Sequence, residues 1–190
     1  MLASASPRRL ALLRQAGLEP SVVIAPEIDE ALRKGELPRV YALRVAVAKM
    51  EAVAVKETGS FVLAADTVVV AGRRVLPKAE GEGDVGRCLK LLSGRRHVVL
   101  TALALKPPGK PMRTRVVMTR VAFKMLSKHE IDAYVASGEG IGKAGGYAVQ
   151  GRAEAFVRWI NGSYSNVVGL PLYETLALLN GSGWRTAISG

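Results

Sequence analysis

One acidic residue, Asp66, stands inside the most continuously apolar segment of the chain, residues 61–71. The many β-branched residues of this segment predict a strand that is buried on both faces. An ionised carboxylate in such a strand is costly unless a metal ion, a cation or a hydrogen-bond donor faces it. Asp66 is therefore either an acid that takes part in chemistry or an acid bonded to a neighbouring loop backbone.

A short acidic loop could supply the rest of such a site. Glu27, Asp29 and Glu30 precede a helix that is predicted over residues 38–58. Carboxylates are hard oxygen ligands, so one of these three together with Asp66 could hold Mg²⁺ or Mn²⁺ against substrate phosphates. A solvated acidic loop is the alternative interpretation.

Cationic side chains that suit phosphate follow a predicted helix start. The segment Ser4-Ala5-Ser6-Pro7-Arg8-Arg9 places a proline at the first helical position and two arginines directly after it. Unpaired N–H groups and the helix dipole favour anions at such a start, and guanidinium groups match phosphate oxygens. Lys78 could clamp a phosphate from a second strand. An ordinary helix cap with exposed cations is the alternative.

The helix over residues 38–58 carries a further candidate. Its apolar stripe is predicted at Val40, Leu43, Val47, Met50 and Ala54, which recur at spacings of three and four. Lys49 lies at the edge of this stripe. Its stem could pass over the core and deliver the ammonium group to a cleft, although an exposed lysine is the more common arrangement.

Two later segments have the composition of ligand-binding loops. Residues 142–151 are rich in glycine, which lets a backbone approach a ligand closely, and they include Gln150, whose amide can read a base edge. Residues 162–172 hold four hydrogen-bonding side chains ahead of a helix. A flexible turn and a helix cap are the alternatives. His97 and His129 lack metal-ligand spacing and a partnering nucleophile, so both are predicted to be structural.

The elements that would position these residues form an α/β pattern. Helices are predicted over residues 7–16, 38–58, 84–92, 128–135 and 171–179, the fourth of them capped by Ser127, and strands over 1–3, 22–25, 61–71, 97–105, 116–123 and 155–160. This order predicts a mixed sheet. Because neither a repeat nor a linker divides the chain, residues 1–190 are predicted to form a single domain.

Composition narrows the class of protein. A hydrophobic fraction of 49% and a charged fraction of 23% are typical of a globular chain. The single cysteine, Cys88, and the absence of a signal peptide or a long apolar span predict a cytoplasmic protein without a membrane partner. The net charge of +11 indicates a polyanionic partner, but the 27 Lys and Arg residues occur in ones and twos, which disfavours stable nucleic-acid binding.

Taken in order, these segments resemble the Maf family. The matching segments are residues 4–9, Asp29-Glu30, Ala65-Asp66-Thr67, Leu92-Ser93-Gly94 followed by His97, residues 142–151 and residues 162–172. The resemblance spans nearly the whole chain. It implies an elongated, two-lobed α/β fold around a central cleft, shared with the inosine triphosphate pyrophosphatase group. It also implies a homodimer that hydrolyses a nucleoside triphosphate to the monophosphate and pyrophosphate.

The resemblance also assigns roles to residues. Residues 144–150 and 163–166 look like the branch that acts on dTTP and UTP. By that similarity Asp66 would accept a proton from water, and Glu30 would be a second, metal-associated acid. The implied substrate-binding residues are Ser4, Arg8, Arg9, Lys49, Thr67, Lys78 and Gln150, of which Arg8, Thr67 and Gln150 would set substrate choice. The chain departs from the family at Leu76-Pro77-Lys78-Ala79, where Leu-Gly-Lys-Pro is usual.

Two functions of different kinds follow from the sequence. The first is a metal-dependent nucleoside triphosphate pyrophosphatase that cleans the nucleotide pool, including modified pyrimidine nucleotides, or arrests cell division. The alternative is a non-enzymatic interaction protein that binds nucleic acid or a septum factor through its basic surface, which the net charge of +11 motivates.

Overall fold

The computed structural model describes residues 1–56 and 59–184. Within these ranges the strands are β1 (Leu2–Ala3), β2 (Val23–Ile24), β3 (Val62–Ala71), β4 (Arg74–Leu76), β5 (Arg96–Lys106), β6 (Arg113–Phe123) and β7 (Val157–Asn161). The helices are α1 (Pro7–Gln15), α2 (Pro38–Ala54), α3 (Glu82–Leu92), α4 (Lys128–Ala136), α5 (Tyr164–Val168) and α6 (Leu172–Gly181). None of the helices in the described ranges has the length and apolar character that crossing a membrane requires.

The strands form a mixed sheet in the order β2-β1-β3-β5-β6-β7, with β4 paired to β3. β1 runs parallel to both β2 and β3, whereas β4 is antiparallel to β3 and β7 is antiparallel to β6. The predicted α/β class with a mixed sheet is therefore confirmed.

Backbone contacts divide the chain into two compact units. The first unit comprises residues 1–66, 101–117 and 169–190, and the second comprises residues 67–100 and 118–168. Because the chain passes repeatedly from one unit to the other, no single cut in the sequence would separate them. The single domain over residues 1–190 stays a prediction.

The core of the first unit is built on β1 and α2. Leu2 and Ala3 of β1 are fully buried. The buried face of α2 comprises Ala42, Val45, Ala46, Lys49, Met50 and Val53. The predicted stripe was therefore displaced around the helix: Met50 belongs to the buried face, but Val40 is 53% exposed. α2 is apolar on most of its circumference, so spacing alone does not identify which face is covered. The described helix ends at Ala54, and Glu57 and Thr58 of the predicted helix lie outside the described residues.

The core of the second unit contains a cluster of aromatic rings. His97, Phe123 and Tyr147 pack edge to face with ring centroids 5.0 to 5.4 Å apart. Such edge-to-face pairs stabilise a core beyond the area that they bury. In the same unit Ser127 caps α4 as predicted, in a capping box with Glu130.

Short elements account for most of the differences from prediction. α5 and a 3-10 turn at Arg152–Phe156 were not predicted, and the strand predicted over residues 155–160 begins only at Val157. Elements of five residues hold less than two turns of periodic pattern, so tertiary contacts decide their conformation. Cys88 is buried in α3.

Candidate active site

The parallel strands bring three candidate segments to the same end of the sheet, where the carboxyl ends of β1 and β2 lie. Ala3 of β1 pairs with Ile24 of β2 and with Ala64 of β3. Ser4 and the loop after β2 therefore follow the carboxyl ends of β1 and β2, and Asp66 lies in β3 two residues beyond Ala64, the last residue that pairs with β1. In open α/β sheets this end is where ligands bind.

A buried cation joins the two predicted acids at this end of the sheet. Lys49 Nζ lies 2.8 Å from Asp66 Oδ1 and 2.9 Å from Glu30 Oε1. The side chains of Lys49 and Asp66 are 8% and 6% exposed, whereas that of Glu30 is 35% exposed. The ammonium group compensates the buried carboxylate, as a charge in an apolar strand requires. The cluster opens to solvent on the Glu30 side.

The structure selects one of the three acids of the loop. Asp29 Oδ1 accepts a hydrogen bond from the backbone N–H of Ala31 at 2.9 Å, which makes a local turn. Glu27 is exposed. Glu30 is the one of the three that contacts Lys49, so it is the acid of the loop that the geometry joins to Asp66.

The start of α1 places one arginine inside the protein and leaves its neighbour more accessible. Arg9 is buried, and it donates from Nη1 to Ser4 Oγ at 3.0 Å and from Nε to the backbone oxygen of Gly169 at 2.9 Å. Burial lowers the pKa of Arg9, and the nearby charges of Asp66 and Glu30 oppose this shift. Ser4 Oγ also accepts from the N–H of Ser6 at 3.2 Å.

Arg8 completes the cationic part of this site. Its side chain is partly exposed, and burial lowers its pKa from the usual value. Ser6 is the N-cap residue of α1, but its side chain makes no capping hydrogen bond. The N-terminus of α1 has no acidic residue in its first turn, so its dipole and Arg8 together favour an anion.

The remaining predicted substrate-binding residues belong to the second unit. Lys78 is exposed and forms a bridge with Ala144 of the glycine-rich segment. Around it, Ala79 N–H donates to the oxygen of Lys143 at 3.0 Å, and Gly142 N–H donates to the oxygen of Ala79 at 2.7 Å. Thus the glycine-rich segment holds the Pro77-Lys78-Ala79 turn. A proline at position 79 would lose the first of these bonds.

Thr67 and Gln150 also lie in this second unit. Thr67 is partly exposed and Gln150 is exposed. The first unit thus brings together Ser4, Arg8, Arg9, Glu30, Lys49 and Asp66, and the second unit holds Thr67, Lys78 and Gln150. The roles assigned to all nine residues stay predictions.

Two glycines of the segment approach the protein's own core. Gly145 and Gly146 have φ values of 70° and 67°, which favour glycine. A Cβ atom at Gly145 would lie 2.9 Å from the side chain of Val69, and one at Gly146 would lie 3.1 Å from Cβ of Cys88. At these positions the missing side chains leave room for a strand and a helix of the second unit, and the predicted close approach to a ligand stays a prediction.

Metal binding can be judged from the oxygen atoms available. Among residues 1–56 and 59–184 no group of three or more His, Cys, Asp and Glu residues is arranged to hold a metal ion. Glu30 and Asp66 nevertheless converge on one cation, Lys49. Two carboxylates completed by water and substrate phosphates are a usual donor set for Mg²⁺, so these residues fit a metal that arrives with its substrate.

His97 lies in the aromatic cluster of the second unit, an arrangement that fits its predicted structural role. Its Nε2 lies 2.8 Å from Tyr147 Oη, and burial lowers its pKa to about 4. At neutral pH the imidazole is therefore uncharged and enclosed by aromatic rings. His129, the other histidine, is exposed on α4.

Three residues around the acidic loop were not identified from the sequence. Tyr41, Arg44 and Glu36 connect this loop to α2 through hydrogen bonds. All three are residue types that are common on protein surfaces. Tyr41 and Arg44 lie in a helix whose sequence was interpreted mainly from its apolar residues. Their spacing of three places them side by side on α2, which is the one clue that the sequence contains.

Together the fold and the site define an α/β protein with paired carboxylates and an anion-attracting helix start at the edge of its parallel strands. The family model described as Maf-like protein matches residues 1–182, and the chain belongs to this family.

Similar proteins cover almost the same length. A protein of Caulobacter vibrioides named dTTP/UTP pyrophosphatase is 59% identical over 185 residues, which cover 97% of this chain and 96% of that protein. Proteins of the same name from Zymomonas mobilis and Rhodospirillum rubrum are each 56% identical and cover 94% and 90% of their own lengths. The Ham1 protein of Staphylococcus aureus is 15% identical and covers 73% of this chain and 97% of its own, with a TM-score of 0.47.

Proposed function

We propose that this chain is a nucleoside triphosphate pyrophosphatase that hydrolyses dTTP and UTP to the monophosphate and pyrophosphate. Relatives that carry this name are 56 to 59% identical to it over nearly their whole lengths. The resemblance of residues 144–150 and 163–166 to the branch that acts on dTTP and UTP supports the same substrates.

The observation that carries the proposal is the position of Lys49 between Asp66 and Glu30. A buried carboxylate that accepts a hydrogen bond from an ammonium group is held in a fixed orientation. Asp66 is therefore a base held ready to take a proton from water. The neighbouring Glu30 is the more exposed acid and lies on the side that solvent and substrate reach.

The other residues of the first unit suit the electrostatics of phosphate-bond cleavage. Hydrolysis of a phosphoanhydride depends on placing a water molecule in line with the leaving group and on neutralising charge on the phosphate oxygens. Arg8, Arg9 and Lys49 supply positive charge close to Asp66 and Glu30. Arg9 is held in place by its hydrogen bonds to Ser4 and Gly169, so we assign it the role of a fixed positive charge near the phosphates. We assign the direct contact with phosphate to Arg8.

We propose further that Glu30 and Asp66 hold Mg²⁺ or Mn²⁺. The bound metal would neutralise charge on the phosphate oxygens and make a water molecule more acidic. In the second unit, Lys78 would add a cation for phosphate, and Thr67 and Gln150 would contribute to the choice of base. The homodimer also stays a prediction, which size-exclusion chromatography with light scattering tests.

Pyrophosphate release from a nucleotide panel tests the proposal. In the presence of Mg²⁺ or Mn²⁺ we expect dTTP and UTP to be cleaved faster than dCTP, ATP and GTP. Loss of a positioned general base lowers the rate about 10²- to 10⁴-fold, so Asp66→Asn should lower kcat by that range. The circular dichroism spectrum establishes that the variant is folded.

A matched carboxylate elsewhere provides the control. Asp132 is also paired with a lysine, Lys128, but on the exposed surface of α4. Asp132→Asn should therefore keep the wild-type rate. If the folded Asp66→Asn variant lost only a few-fold in kcat, Asp66 would not be the base, and if no nucleotide of the panel were cleaved, the proposed activity would be wrong.

A further inference from the structure

The orientation of the acidic loop needs an external support. Residues 25–37 connect β2 to α2 without a strand or helix, and most of their side chains are exposed. Glu30 lies in the middle of this segment, yet its carboxylate reaches the buried ammonium group of Lys49. An irregular exposed segment does not by itself fix the direction of a side chain, because its backbone has few internal contacts.

Two side chains of α2 hold the backbone next to Glu30. Tyr41 Oη donates a hydrogen bond to the backbone oxygen of Glu30 at 2.8 Å. Arg44 Nη2 donates to the backbone oxygen of the following residue, Ala31, also at 2.8 Å. Two consecutive carbonyl groups are thus bound by the same helix, which fixes the peptide plane that follows Glu30.

The arginine is itself held in place. Arg44 Nε and Nη2 donate to the two carboxylate oxygens of Glu36 at 2.7 and 2.8 Å. The Glu36 side chain is 7% exposed and also accepts from the backbone N–H of Arg33 at 3.1 Å. The hydrogen bonds from Arg44 lower the pKa of Glu36 to about 2, so the pair remains charged at neutral pH. A bidentate pair of this kind fixes the plane of the guanidinium group.

We infer that Tyr41 and Arg44 are positioning residues, which hold the acidic loop against α2 so that the Glu30 carboxylate stays beside Lys49 and Asp66. Tyr41, Arg44 and Lys49 all project from one rigid helix, which therefore sets the spacing between the support and the ion cluster. The catalytic consequence rests on the proposed pyrophosphatase function. The structural consequence, which is a loop fixed by two side chains, does not.

Kinetics of Tyr41→Phe test the catalytic consequence. This change removes only the hydroxyl group, so the ring remains beside Arg44. Loss of a group that orients a metal ligand lowers metal affinity or activity about 10- to 100-fold, and we expect kcat to fall about 10-fold. Tyr173→Phe is the matched control, because Tyr173 is 79% exposed on α6 and the change should leave kcat unaltered.

A double-mutant cycle tests whether Tyr41 acts through Glu30. In the Glu30→Gln background, which has already lost the carboxylate, Tyr41→Phe should cause almost no further loss. A Tyr41→Phe loss of the same size in both backgrounds would overturn the inference, because it would show that the hydroxyl group acts independently of Glu30.

Hydrogen–deuterium exchange of peptides that cover residues 25–37 gives a readout that does not need activity. Tyr41→Phe and Arg44→Gln should both raise exchange there, with no change at α4, whereas Tyr173→Phe should leave the segment protected. If the wild-type protein is inactive but its loop responds in this way, the proposed function is overturned and the positioning of the loop by Tyr41 and Arg44 still holds. An active protein whose loop exchange and kcat are unchanged by Tyr41→Phe would overturn the support alone.

Discussion

The two units bury titratable side chains in opposite ways. In the first, Lys49 and Asp66 are buried as an ion pair, and Glu30 extends that pair toward solvent. In the second, burial lowers the pKa of His97 to about 4 and raises the pKa of Tyr147, so the two form a neutral hydrogen-bonded pair. Burial alone therefore does not mark a site. The candidate active site differs because its buried charged groups are paired with each other, and because the pair extends to the partly exposed side chain of Glu30.

Replacing Lys49, the cation that Asp66 and Glu30 share, should lower the stability of the protein more than the other changes compared below. Lys49→Met leaves the buried carboxylate of Asp66 without its ammonium partner. Breaking a buried ion pair by removing one member destabilises a protein by about 3–5 kcal/mol, so we expect the urea-unfolding midpoint to fall accordingly.

An exposed ion pair supplies the comparison for this variant. Lys128 pairs with Asp132 on α4, where the lysine side chain is 89% exposed. Lys128→Met should change the midpoint little, because solvent screens such pairs. Equal shifts for Lys49→Met and Lys128→Met would contradict the view that the Lys49 pair is structurally distinct.

Acidification should weaken the neutral pair of the second unit. The folded-state pKa of His97 is about 4, below the usual value of 6.5, so the unfolded chain binds a proton that the folded chain does not. This contribution to stability is complete above pH 6.5 and is lost as the pH falls toward 4. It amounts to about 3 kcal/mol, and denaturant unfolding at several pH values measures it.

The pH window separates His97 from the acidic groups. Glu36 and Glu130 have pKa values lowered to about 2, so their contributions are lost mainly below the usual glutamate range near 4.5. His97→Phe should remove the slope between pH 6.5 and 4, whereas His129→Asn should keep it. Retention of the full slope in folded His97→Phe would mean that another group causes it.

The smallest expected effect concerns the partner of His97. Tyr147→Phe keeps the ring in the aromatic cluster and removes only the hydroxyl group that bonds to Nε2. A lost hydrogen bond between buried neutral groups costs about 1–3 kcal/mol, and we expect the lower part of that range because the ring contacts remain. A thermal melt at pH 7 measures the change, and stability equal to the wild type would show that the hydroxyl group makes no net contribution and that Tyr147 stabilises the fold through its ring contacts alone.

Local signals predicted the long elements and left the site's contacts undetermined. The apolar run around Asp66 identified β3, and the cap at Ser127 identified the start of α4. The covered face of α2 was not predictable from spacing, because apolar residues surround most of that helix. Once the face is known, Lys49 is seen to lie at its centre.

The choice among equivalent residues also needed the structure. Glu27, Asp29 and Glu30 have the same chemistry, and backbone direction decides that Glu30 meets Lys49 while Asp29 bonds to its own turn. The support from Tyr41 and Arg44 depends on contacts between a helix and an irregular loop, which follow no sequence period. Such non-local contacts are the part of a site that local patterns do not encode.

The close packing of Gly145 and Gly146 affects how a mutational scan of this protein would be interpreted. Every larger residue at Gly145 meets Val69 in addition to an unfavourable backbone angle. Variants there would therefore score as inactive in a screen of cell lysates because they fold poorly, whatever the role of Gly145 in nucleotide binding. Gly142 shares the positive φ but has open space around its missing side chain. If alanine is tolerated at 142 and not at 145, and the amount of folded protein falls only for the 145 variant, the intolerance is due to the contact with Val69.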